Sequence, residues 1–240
     1  MLISFFLDQP MWARIMLIIA AAIGVAVITV ELAVAFYQRF WYDHSLRPSF
    51  DTTYTPTCAM IIPCKGYDDG LRASIDAYLS LDYSEYTIFF SVESEHDAAV
   101  PVIREAIAGK SNARLLVAGL SNQCAQKNWN IIKAVEIAGT PDVYVFADSD
   151  IVPQKDWLRQ LVLPLSRSDI AVASGFRWIH LSKARFGQYN HMFFNNFLYV
   201  LFCSASIIGN VGLWGGSMAM RREDFEKLDV AKRWSETAVD

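Results

Sequence analysis

The stretch from Cys58 to Ala147 restricts this chain most, because apolar runs of strand length alternate there with helical periodicity. Cys58–Ile62 (CAMII) is a short apolar run stopped by Pro63, and Tyr86–Val92 (YTIFFSV) is aromatic and β-branched. Arg114–Ala118 reads as a third strand, and Val143–Ala147 (VYVFA) is continuous enough to be buried on both faces. Between them Leu71, Ile75, Tyr78 and Leu79 share one helical face. Val100, Ile103 and Ile107 share another, and Trp129, Ile132 and Val135 a third, with Gly109, Gly139 and Pro141 as terminators. Such alternation predicts right-handed βαβ units and a mainly parallel sheet of the α/β class.

Sheets of this kind bind ligands beyond the carboxyl ends of their strands. The side chains that follow each strand are therefore the first candidates for a site. Lys65, Gly66, Asp68 and Asp69 follow the first strand, Glu93, Glu95 and Asp97 the second, and Asp148 and Asp150 the fourth. Carboxylates gathered from three strands repel one another, a strain that a bound cation or the donors of a polar ligand would relieve. Neither G-x-G-x-x-G nor G-x-x-x-x-G-K-[ST] occurs, so the dinucleotide and P-loop readings lack their phosphate loop.

The turn in VYVFADSDIV is the most informative. Asp148 and Asp150 leave a buried strand one small residue apart, and Mg²⁺ or Mn²⁺ favours such hard oxygen ligands, binding through one or two carboxylates plus substrate phosphates. The cation would hold a nucleotide-sugar diphosphate and neutralise charge as it departs. Two other readings use the same residues. Paired aspartates after a strand often make only an Asx turn. A haloacid-dehalogenase-type phosphatase also ends an apolar strand in D-x-D, with the first aspartate, here Asp148, as nucleophile. That motif closes the first strand of its core, whereas three strand–helix units precede it here.

Composition excludes several classes. Hydrophobic residues make up 53% of the chain, too many for disorder. The balance of 21 Lys+Arg against 25 Asp+Glu, with no basic run, speaks against nucleic acid as a partner. Cys58, Cys64, Cys124 and Cys203 show no C-x-x-C pairing, which disfavours a zinc site or a disulfide framework and fits a reducing compartment.

Ile15–Phe36 is apolar throughout, with Glu31 its one charge. Twenty-two helical residues reach roughly 33 Å, enough for a hydrocarbon core. Arg14 marks one end and Tyr37, Arg39, Trp41 and Tyr42 the other, as interfacial residues do. Ala33-Val34-Ala35 imitates a signal-peptidase site, but the long n-region with Asp8 and the charge at Glu31 favour a retained anchor. Arg39 and Arg47 after the span, against Arg14 before it, place the downstream part in the cytoplasm. The expected organisation is an anchor over 1–42, a polar linker over 43–57 and a catalytic domain over 58–240.

From Cys58 onward the chain resembles the catalytic domains of glycosyltransferase families 2 and 21, most of all the ceramide glucosyltransferase branch. The resemblance rests on CKGYDDGL at 64–71, SVESEHDAA at 91–99, QKNWNII at 126–132, FADSDI at 146–151 and GGSMAMRREDF at 215–225. It implies a GT-A α/β fold and a metal-dependent, inverting transfer of a hexose from a UDP-sugar to a membrane lipid hydroxyl. By the same resemblance Asp68 and Glu93 lie near the nucleotide, Lys127 faces the nucleotide and the acidic cluster, and Asp148 and Asp150 form the metal and diphosphate site. Gly215, Gly216 and Arg221 fall in the donor-sugar and acceptor region, and Asp240 is the candidate general base. The family's Q/R-x-x-R-W element and later membrane helices are absent, so a non-catalytic truncated membrane protein is the remaining alternative.

Plainer roles stand beside these. Asp68 or Asp69 would serve as a helix cap, Glu93, Glu95 and Asp97 as a solvated loop, and Lys127 as an exposed helical lysine. Arg221 and Arg222 would equally begin a surface helix. His180 and His191 show no metal-ligand spacing and read as structural. Leu198–Ile208, apolar but punctuated by Ser204 and Ser206, reads as a buried core helix, or else as a helix at a membrane surface where a lipid acceptor enters.

Overall fold

The computed structural model describes residues 9–176, 179, 185–206 and 213–237. In chain order its main elements are α1 (Met11–Trp41), β1 (Cys58–Pro63), α2 (Leu71–Leu79), β2 (Tyr86–Val92), α3 (Ala99–Ala106), β3 (Ala113–Val117), α4 (Gln126–Ile137), β4 (Val143–Ala147), α5 (Trp157–Val162), β5 (Val172–Ser174), α6 (Phe186–Ser206), β6 (Ser217–Arg221), α7 (Arg222–Lys227) and α8 (Val230–Ser235). They form two compact units, Met1–Pro48 with Trp178–Val211, and Ser49–Arg177 with Gly212–Asp240.

The second unit is an α/β layer structure around a six-stranded sheet of order β3-β2-β1-β4-β6-β5. β1 to β4 are mutually parallel, and β6 runs antiparallel to both β4 and β5. Strand alternation sorts the core into two faces. Met60, Ile62, Val143 and Val145 pack on one side with Leu71, Ile75 and Ile103 of α2 and α3. Ala59, Ile61, Tyr144 and Phe146 pack on the other with Ile131 and Ala134 of α4 and Phe225 of α7. Burial on both faces is why these strands read as unbroken apolar runs rather than as alternating ones. The helices end where the sequence stops them: Gly109 and Gly139 both hold φ +74°, a left-handed conformation open to glycine at little cost.

β1 occupies a special place. The chain steps outward from it through β2 to β3, then returns to place β4 on its other flank. The order of strands reverses between β1 and β4, and such a switch point opens a crevice at the carboxyl ends of the two strands.

The polar stretch 43–57 differs from a free linker. Helical turns run on from α1 through Ser49, and residues 50–57 are fastened to the sheet unit. Phe50 is buried, the Tyr83 hydroxyl donates to the Pro56 carbonyl at 2.7 Å, and the Thr57 amide donates to Asp142 at 2.8 Å.

In the first unit α1 is 31 residues with no buried side chain. Among the described residues it belongs to the one helix long and apolar enough to cross a membrane. α6 packs against it. The segment 198–208, expected as a buried core helix, lies through Ser206 in α6, which belongs to the first unit and not to the α/β unit, and Leu198 is exposed. The remaining residues of that expectation, 207–208, fall outside the described ones.

Candidate functional site

A cleft of about 390 Å³ opens at the switch point. Pro63, Cys64 and Lys65 after β1, Glu93 after β2, Gln126, Lys127 and Asn130 of α4, and Asp148, Ser149 and Asp150 after β4 line it. Parallel register delivers these residues together, since β1 pairs with β2 through Pro63 opposite Ser91 and with β4 through Ile61 opposite Phe146. The three strands therefore end at one rim.

Charge in the cleft is paired across the gaps between elements. The Lys127 ammonium stands 3.0 Å from Asp148 Oδ1, and Lys65 stands 3.2 Å from Glu93 Oε2. Both lysines are partly exposed, so each pair is modest in strength. Asp148 is held closely by its surroundings. Its amide donates to the Gly216 carbonyl at 3.1 Å, and its own carbonyl accepts from the buried Tyr78 hydroxyl at 2.8 Å. Burial raises the pKa of Tyr78, with the Asp148 charge adding to the effect. That phenol stays protonated and remains a donor.

Gly216 presses against the same aspartate. A Cβ built on Gly216 would run into Asp148 Oδ2 and the Trp214 ring, whereas one on Gly215 meets nothing within 4 Å. Asp148 therefore has one oxygen against a lysine and the other against the turn that opens β6.

The N-terminal turn of α4 adds a polar column. Gln126 Nε2 donates to the Gly119 carbonyl at 2.9 Å and to Asn130 Oδ1 at 2.8 Å. The Gln126 Oε1 accepts from the Ser121 amide at 2.8 Å. Together they fix the start of a helix whose positive end faces an anion-sized cleft. Below, the Cys64 thiol is buried and pushed up to about 12 by desolvation, so it is a neutral wall rather than a nucleophile.

The acidic residues divide by fate. Glu93, Asp148 and Asp150 line the cleft. Asp68 follows β1 yet is not among the lining residues: its Oδ1 accepts from the Gly70 amide at 2.7 Å, a local turn ahead of α2. Asp97 is likewise occupied, accepting from the amides of Gly66 at 2.9 Å and Ala99 at 2.8 Å. Glu95 is paired with Arg104.

Arg221 lies elsewhere. β6 is antiparallel to β4, so Arg221 sits opposite Val143 at the start of that strand while Ser217 sits opposite Ala147 at its end. The guanidinium donates to the carbonyls of Leu165 at 2.9 Å and Arg167 at 3.0 Å, and pairs with Asp224 at 2.8 Å. It borders a larger cleft of about 540 Å³ on the opposite rim, so its placement in a donor-sugar region is corrected to a structural clamp. Asp240 and His180 fall outside the described residues.

Asp148 and Asp150 supply oxygen ligands alone, and the Lys127 ammonium on Asp148 shows that this carboxylate attracts a cation. Among the described residues no three His, Cys, Asp or Glu side chains form a ready-made metal cage. Two carboxylates without a cage fit a cation that keeps waters and phosphate oxygens in its shell.

The sequence profile of glycosyl transferase family 21 matches residues 16–229. The chain belongs to glycosyl transferase family 21. Among curated proteins it is 23% identical over 210 residues to ceramide glucosyltransferase 1 of Caenorhabditis elegans, covering 86% of this chain and 44% of that protein. It thus spans less than half the length of that relative. Among solved structures it resembles the mannosyltransferase PcManGT of Pyrobaculum calidifontis, determined with GDP-Man and Mn²⁺, with a TM-score of 0.58 and 18% identity. That match covers 88% of this chain and 57% of the other. The fold is the GT-A type, and the phosphatase alternative falls with the family assignment.

Several cleft residues escaped the sequence reading. Lys65 stood in view after β1 without a role. Gln126 and Asn130 lie four apart, hence on one helical face, and that spacing within QKNWN was the signal available. Trp214 carried no signal at all, because its importance lies in touching Gly216.

Proposed function

We propose that this chain carries the donor site of a metal-dependent, inverting glycosyltransferase that moves a hexose from a UDP-sugar to a lipid hydroxyl. The observation that carries the reading is the convergence of Glu93, Lys127, Asp148 and Asp150 on one cleft at the switch point of a GT-A sheet. Membership of family 21 supports the reaction class. The ceramide glucosyltransferase relative supports a ceramide-like acceptor, and the Mn²⁺ and nucleotide sugar held by PcManGT support a divalent ion, Mn²⁺ or Mg²⁺.

In this reading Asp148 and Asp150 would hold the ion, which would supply positive charge to offset that of the departing diphosphate. Glu93 at the end of β2 borders the nucleotide, Asp68 supports the β1 loop beside it, and Lys127 and the start of α4 receive phosphate charge. Gly216 lets the backbone of the turn that opens β6 come close to Asp148. The acceptor hydroxyl attacks the anomeric carbon as the bond from that carbon to the diphosphate oxygen breaks. Its proton passes to a carboxylate base, for which Asp240 is the candidate. α1 anchors the enzyme as a single-pass helix, with the catalytic unit on the cytoplasmic side, where Arg39 and Arg47 follow the span.

The test is calorimetric titration of the full chain in detergent with UDP-glucose, with and without Mn²⁺, repeated on Asp148→Ala and Asp150→Ala. Metal-dependent binding is expected in the parent and lost in both variants. Equal affinity in all three proteins would sink the reading.

A further inference from the structure

We infer that Lys127 is a displaceable internal cation that couples donor binding to metal binding, an inference that rests on the donor site proposed above. The two carboxylate oxygens of Asp148 have different surroundings. Oδ2 lies on the side of the turn that opens β6, where a Cβ on Gly216 would overlap it and the Trp214 ring. Oδ1 is the oxygen that Lys127 reaches, at 3.0 Å. The backbone of Asp148 is held by Tyr78 and Gly216, which fixes the point from which its carboxylate projects. A cation that takes Oδ1 as a ligand must therefore displace Lys127.

Lys127 has freedom that Asp148 lacks. Its side chain is 36% exposed, it projects from the first turn of α4, and four rotatable carbons carry its charge. A diphosphate seated against that helix start would offer the ammonium several oxygens in place of one. Lys127 then turns from Asp148 to phosphate, and Oδ1 is released in the same movement. The cleft therefore keeps its cation preference masked until donor arrives. Glu93 repeats the arrangement with Lys65 at 3.2 Å, but Lys65 is 75% exposed and holds no carboxylate of the D-x-D pair.

Removal of the lysine charge must then have opposite effects on two measurable affinities. In Lys127→Met, Mn²⁺ alone should bind about fivefold tighter than in the parent, the factor matching ~1 kcal/mol for a partly exposed pair. UDP in saturating Mn²⁺ should bind more weakly, and the factor by which UDP enhances Mn²⁺ affinity should shrink. Lys127→Arg, which keeps the charge, should restore the coupling in large part. The measurements are Mn²⁺ titrations followed by calorimetry and by the electron paramagnetic resonance of free Mn²⁺, on the full chain with and without UDP. Circular dichroism of each variant verifies folding, and Lys127→Gln serves if Lys127→Met does not fold.

Unchanged or weaker binding of Mn²⁺ alone in the charge-removed variant, with the parent still binding UDP in a metal-dependent way, overturns this inference and leaves the donor site standing. A parent that binds UDP without regard to Mn²⁺ overturns both.

Discussion

The turn that opens β6 makes a demand that a pair of alanine substitutions can measure. Gly215 and Gly216 are adjacent and chemically identical, yet a Cβ at Gly216 would overlap Asp148 Oδ2 and the Trp214 ring well inside 3.0 Å, while one at Gly215 meets nothing within 4 Å. The Asp148 amide also donates to the Gly216 carbonyl at 3.1 Å, so the overlap falls where β4 and β6 are joined. Relief must come from a parting of β4 and β6 at their shared end, or from rotation of the carboxylate out of the cleft. Overpacking of this kind costs about 1–3 kcal/mol, which in a domain of this size lowers the melting temperature by roughly 2–4 °C per kcal/mol. Gly215→Ala should stay within about 0.5 kcal/mol of the parent. Donor affinity separates the two further. Gly216→Ala should weaken metal-dependent UDP-glucose binding about tenfold, the factor matching ~1.4 kcal/mol for a displaced carboxylate, and Gly215→Ala should leave it unchanged. Differential scanning fluorimetry and calorimetry on the same preparations read both quantities. Two variants that melt and bind alike would refute the claim that the Gly216 backbone positions Asp148.

Arg221 tests the opposite rim. Arg221→Met removes donors to the Leu165 and Arg167 carbonyls and the pair with Asp224, so chemical denaturation should show a loss of about 2–3 kcal/mol. UDP affinity should stay within about twofold of the parent; a fall in affinity at unchanged stability would return Arg221 to the site. The cysteines give a pH dependence. Burial pushes the thiols of Cys58 and Cys64 up to about 12 from an ordinary value near 9.0. Above about pH 9 the unfolded chain therefore releases protons that the folded chain retains, so the contribution is full below that pH and drains away as pH climbs toward 12. Urea midpoints taken from about pH 8 to pH 10.5 should fall, and Cys58→Ala with Cys64→Ala should flatten that slope.

Strand positions were legible because burial on both faces leaves one kind of residue. Tyr86–Val92 and Val143–Ala147 were read to the residue, and β1 gained only Pro63 at its end. Positions 43–57 were not, because prolines and polar residues look alike in a tether and in a strap. Only the burial of Phe50 and the bond from Tyr83 to Pro56 tell them apart. α6 misled for a related reason: apolar residues in a helix signal burial against something, and sequence does not say whether that is the domain core or another apolar medium.

Legibility of the site follows how far each residue acts from its own place in the chain. Asp148, Asp150 and Glu93 are visible since a strand's carboxyl end is a position that sequence alone reports, and in a parallel sheet those ends coincide. Asp97 and Glu95 occupy equally good positions and are consumed by local partners, Gly66 and Ala99 for one and Arg104 for the other. Proximity to a strand end is therefore necessary without being sufficient. Arg221 fails by a single sign: a parallel β6 would have set it beside Asp148, and the antiparallel register sets Gly216 there instead. One reversal of strand direction thus exchanges a charged residue at the rim for a glycine, and with it a candidate ligand for a backbone that holds the ligand in place.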